Sequence, residues 1–111
     1  MELYQEIQRL NSLLDKAISE LKERGRAYAN AYKTYRMLLS KELLRLKDEG
    51  VPATTSYDIA RGKEEIATAK ENEIITESLY KSCQEAILVY KLQIKILENQ
   101  LQREWGQAKN G

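Results

Sequence analysis

The sequence has no histidine, no phenylalanine, one cysteine and one proline. Without histidine, the commonest general base and the commonest metal ligand are missing, and with them every Ser-His, Cys-His and zinc-finger arrangement. Cys83 has no second cysteine to pair with, which excludes an internal disulfide and suits a reducing compartment. No apolar run approaches the roughly 18 residues of a membrane span. The N-terminal MELYQEIQRL is polar and amphipathic, unlike a signal peptide. Charge of one sign is also lacking: Lys+Arg 18 against Asp+Glu 17 disfavours a mimic of nucleic acid. What remains is a chain of 111 residues, 42% hydrophobic and 32% charged, the profile of one soluble, helix-rich domain.

Apolar residues recur at steps of three and four through Leu3, Ile7, Leu10, Leu14, Ala17, Leu21, Tyr28, Ala31, Tyr35 and Leu38, a heptad stripe. Arg24 is the polar intrusion, its stem packing while its head reaches water, or else setting register. From Tyr35 the stripe passes to Leu39, Leu43 and Leu46, a stutter at which coiled geometry relaxes. Gly25 costs about 1 kcal/mol against Ala, but the pattern runs through it. One helix is therefore expected over 2–48.

The stop is DEGVPATTS. Gly50 suits the left-handed C-terminal position, Val51 covers the last turn and Pro52 ends the helix. Thr55 and Asp58 read as a capping box for a short helical turn from Tyr57 to Arg61, within a turn segment 49–62. A second long helix, 63–107, carries the stripe Tyr80, Cys83, Ile87, Tyr90, Ile94, Leu97 and Leu101. Alternation in AILVYKLQIKIL keeps a strand open over 86–97, against which the polar, helix-forming flanks argue.

The fold expected is all-α, a long antiparallel, coiled-coil-like hairpin forming a single domain. With Asp48 opposite Lys63, the two stripes coincide: Ala17 faces Ile94, Leu14 faces Leu97, Leu10 faces Leu101, Ala31 faces Tyr80 and Tyr28 faces Cys83. Small residues meet large ones. Residues 22–47 hold eight basic side chains against Glu23 and Glu42, and 58–79 hold six acidic ones against Arg61, Lys63 and Lys70, so opposite charge should support the pairing. Leu88, Leu92, Ile96 and Ile18 exceed what one hairpin can cover, which points to a homodimeric four-helix bundle. Trp105 either closes that bundle or stands as an exposed interaction anchor.

The segment RGRAYANAYKTYR interleaves basic and aromatic residues. Arg26, Tyr32, Lys33 and Arg36 are its candidates for holding phosphates and stacking bases, or for contacting a protein partner. The plainer reading is a solvated face, since Tyr28 and Tyr35 fall on the core stripe. Cys83, also on a stripe, reads as a small core residue. Glu64, Glu65, Glu71, Glu73 and Glu77 match no cation-binding loop and read as a solvated helix face, so neither metal nor cofactor is expected. Adjacent Ser-Lys pairs at 40–41 and 81–82 diverge by about 100° on a helix and make no dyad. No catalytic residues emerge, and no enzyme is expected.

The pieces YRMLLSKELLRLKDEGVPATTSYDIARG, KEEIATAK and YKSCQEAILVYKLQIKILENQLQREW together resemble small helical proteins of temperate phages and prophages of Gram-positive bacteria. The likeness runs from Tyr35 to Trp105; residues 2–34 add only heptads. It implies a bacterial host cytoplasm and an accessory phage role, with no catalytic residues to carry over. The expected function is a non-enzymatic, helical protein–protein interaction module acting on a host or phage partner in replication, recombination or defence evasion. A nucleic-acid-binding accessory factor and a structural spacer or assembly chaperone are the alternatives.

Overall fold

The computed structural model describes residues 2–110, with side chains through 107. Three helices follow one another: α1 (Glu2–Asp48), α2 (Ala53–Gly62) and α3 (Glu64–Asn110). Only 49–52 and Lys63 lie outside them, and no strand occurs among the described residues. The segment 86–97 is helical throughout. No helix of the described residues is long and apolar enough to cross a membrane.

The chain packs as two units, one of 1–23 with 81–111 and one of 24–80. In the first, the opening turns of α1 lie antiparallel to the closing turns of α3. Ile7, Leu10 and Ile94 form one buried cluster, edged by Leu13, Leu14, Tyr90, Leu97 and Leu101. Ala17, Cys83 and Ile87 form a second. The Cys83 thiol donates to the Ala17 carbonyl at 3.2 Å, so the two backbones approach closely at the small residue.

The second unit holds the turn. Gly50, at φ 82°, is the left-handed residue that ends α1. Val51 N–H donates to Leu46 O at 3.0 Å and Gly50 N–H to Lys47 O at 3.0 Å, the paired bonds of a Schellman motif. Val51 then covers Leu46, and Tyr35, Leu39, Leu46, Ala60 and Ile66 form the core there. Helix α2 starts directly after Pro52, four residues before the expected turn. The ring of Pro52 holds φ at −60°, and its carbonyl accepts from Thr55 and Ser56 N–H. Thr55 lies inside the helix, its hydroxyl donating to Pro52 O, so it caps nothing. Lys63 alone breaks the chain between α2 and α3, with extended φ −68° and ψ 132°.

The register differs from the expected one by about a heptad. Ala17 clusters with Cys83 and Ile87 rather than Ile94, Gly25 lies against Tyr80, and Glu42 meets Lys63. Two stripes that repeat every seven residues stay apolar on apolar after such a slide, so periodicity does not select between them. The turn does. Ala60, fully buried, sets α2 on the last turns of α1 and delivers Lys63 to Glu42, so α3 begins further down α1. Gly25 then has a packing reason: a Cβ there would meet the Tyr80 ring at 3.1 Å, and Tyr80 also packs on Tyr28 with ring centroids 6.1 Å apart.

Glu42 takes the stripe position expected of Leu43, and it is 7% exposed. Arg45 Nε reaches its carboxylate at 3.1 and 3.2 Å and Lys63 Nζ at 3.0 Å. The hydrogen bonds from Arg45 and then Lys63 outweigh desolvation and hold the Glu42 pKa down at about 2. A carboxyl with a lowered folded pKa stabilises above its unfolded value of 4.5 and loses that contribution as pH falls through about 2. Thermal melts from pH 7 to pH 2 are therefore expected to show a smaller acid-induced drop in Glu42→Gln than in the parent, with the variant less stable at pH 7. Parallel curves would remove Glu42 from the pH response. The Lys63–Glu42 pair also has the reverse polarity of the expected pairing, its acid on α1 and its base beyond α2.

Candidate functional site

Two surfaces carry the candidate residues, one in each unit. The first is on α1 in the unit 24–80. Arg26, Tyr32, Lys33 and Arg36 are all exposed there, Tyr32 by 47%. At roughly 100° per residue the four fall within an arc of about 120°, with Tyr32 at the edge next to the buried Leu39 and with Tyr35 and Ala31 beyond it. The aromatic half of the motif is largely spent on packing. Tyr35 is buried, with Lys70 Nζ 4.8 Å from its ring centroid, and Tyr28 is partly buried against Tyr80. Tyr32 alone remains for a base to stack on. The surface is thus a basic face with one free ring, which holds phosphate more readily than it reads a base.

The second surface is on α3 in the unit 1–23 with 81–111. Leu88 (66%), Leu92 (59%) and Ile96 (53%) are more than half exposed, with Val89 beside them. Leu88, Leu92 and Ile96 succeed one another by four residues on one side of α3. Cys83, Ile87 and Ile94 lie about 180° away on the side that packs against α1. The helix therefore has two apolar stripes back to back, one covered and one open, which is why its apolar residues are so evenly spread around it. Asn99 and Arg103 continue the open stripe, edging with Ile96 and Gln102 a shallow hollow.

Trp105 does not join this face. It follows Leu101 by four residues on the α1-facing side, and the heptad offset carries it past the first turn of α1, so it is 64% exposed. Ile18 on α1 is also half exposed.

A hollow lined by Tyr35, Arg61, Gly62, Ala67 and Lys70 adjoins the turn. Its cations are engaged: Arg61 lies 5.4 Å from the Tyr57 ring centroid, and Lys70 bonds buried Glu73 at 3.1 Å, which raises the lysine pKa. The hollow has no nucleophile beside a base. Among the described residues no group of His, Cys, Asp and Glu is placed to hold a metal ion. Sequence reasoning missed Glu42 and Glu73 as buried charges. A local signal was present, since Arg45 and Lys70 stand three residues from Glu42 and Glu73, whereas Lys63 reaches Glu42 from 21 residues away. No family model matches the chain, and neither a curated protein nor a solved structure is similar to it.

Proposed function

We propose that the protein is a non-enzymatic interaction module that docks a partner helix on the outer face of α3. The observation that carries this reading is the open stripe Leu88, Leu92 and Ile96, set opposite the stripe that builds the core. Aliphatic side chains at four-residue spacing form a ridge that fits the groove of another helix. Covering them is favourable by about 25 cal/mol per Å² of apolar surface removed from water, and no part of the chain's own unit does so. A phage accessory role in a bacterial host rests on the resemblance over Tyr35 to Trp105 and names where a partner is to be sought.

The test is a pair of affinity captures from host lysate, one with the parent chain and one with Leu88→Lys/Leu92→Lys. Both substitutions fall at exposed positions, so stability should change by less than about 0.5 kcal/mol each. Retained protein is expected to fall about tenfold or more in the variant at unchanged helix content. Equal retention by both chains, with the parent chain also monomeric, defeats the reading. Nucleic-acid binding at about 150 mM salt that is lost when Arg26, Lys33 and Arg36 are replaced would instead move function to α1. Each lost phosphate contact then removes about 0.7 to 0.9 from the logarithmic salt slope.

A further inference from the structure

We propose that the helix docked on the outer face of α3 is the same face of a second copy of this chain, running antiparallel. The inference rests on the reading of that face as a docking surface and adds the identity and direction of its occupant. Five charged residues accompany the stripe: Glu85 and Arg103 at its two ends, and Lys91, Lys95 and Glu98 along one flank. All are exposed, and none is engaged by another charged group among the described residues. Apart from Lys95, which an antiparallel partner would set opposite the neutral Gln93, their order along α3 is acid, base, acid, base.

Such an order is self-complementary under a two-fold axis perpendicular to the helix. When the axis crosses α3 at the level of Ile94, Leu92 of one copy lies beside Ile96 of the other, and Leu88 reaches the level of Gln100. Side chains on one flank of a helix meet the same flank of an antiparallel partner. Glu85 and Arg103 both lie in line with the stripe, and Lys91 and Glu98 share one flank of it, by their spacing around the helix. The same axis brings Glu85 to Arg103 and Lys91 to within one residue of Glu98, each pair occurring twice by symmetry. A parallel, in-register pair would instead stack Glu85 on Glu85 and Lys95 on Lys95 beside the apolar contact, two like-charge layers that count against it. Each hairpin contributes α1 and α3 to the assembly, which gives four helices.

The experiment uses full-length chains, with light scattering to read mass and circular dichroism to verify helix content. The parent is expected at twice the 12.9 kDa chain mass in the micromolar range. Glu85→Arg alone sets Arg against Arg103, and Arg103→Glu alone sets Glu85 against Glu, so each should dissociate about tenfold more readily. Mixed in equal amounts, the two variants restore both pairs, and the mixture should return to the doubled mass. A monomeric parent, or a mixture no tighter than its components, overturns the proposal. Loss of a different protein in the Leu88→Lys/Leu92→Lys capture, with a monomeric parent, would defeat self-docking and leave the module reading in place.

Discussion

Leu46→Ala is expected to cost about 2–5 kcal/mol, a large part of the stability of a chain this size. Leu46 is 4% exposed and is the point on which three local structures converge. Its carbonyl accepts the Val51 N–H that closes α1, its side chain lies under Val51, and it belongs to the cluster containing Ala60 of α2 and Ile66 of α3. Truncation removes apolar burial and leaves a void, and the neighbours are poorly placed to fill it. Ala60 has no reach, and Ser56, the other buried residue of α2, is polar. Chemical denaturation should show a lower midpoint at unchanged slope. A cost below about 1 kcal/mol would mean that α2 collapses onto the space, and that it does not fix the register.

Ala17→Cys has an all-or-none expected result. Cys83 Sγ lies 3.2 Å from the Ala17 carbonyl, and both residues belong to one buried cluster. A thiol introduced at position 17 therefore faces the chain's own cysteine, and mild oxidation should join the two within one chain. On a non-reducing gel this appears as a faster-moving monomer band. Closing the 66-residue loop between them would add about 4 kcal/mol in the chain-entropy account, less any native strain. A register displaced by one heptad puts Ile94 beside residue 17 instead, and the thiols then stay reduced. The outcome separates two pairings that have the same apolar periodicity.

Class and helix order were legible in the sequence because both depend on local patterns. The stripe from Leu3 to Tyr35 needs no partner to be recognised as helical, and Gly50 followed by Val51 and Pro52 marks the end of α1 by backbone chemistry alone. Register was illegible for the opposite reason. It depends on where α2 lies, and α2 is placed by Ala60, whose burial no local pattern reveals. Thr55 misled because a Thr followed three residues later by Asp resembles a cap, whereas Pro52 had already begun the helix. Of the candidate surfaces, Leu88, Leu92 and Ile96 stood out as a surplus over one stripe. Trp105 lies at a different angle around α3 and is 64% exposed, a position that depends on the register and not on the local pattern.

The placement of Glu42 against Lys63 has a consequence in time. That pair closes a loop of 21 residues, whereas the bond between Cys83 and Ala17 closes one of 66. Loop-closure entropy grows with the logarithm of loop length, so the turn is the least costly place for non-local contact to begin. Once it has formed, each successive layer toward the termini adds only a short further loop, and the chain zips in one direction. Mutations around Leu46 and Ala60 should then slow folding in step with their loss of stability, while mutations at Ile7 or Leu10 should chiefly speed unfolding. Equal effects on the folding rate at both ends would contradict this order. A chain emerging from synthesis has the turn available before the stripe of α3 that completes its core, so the first-made half of α1 waits longest for its partner.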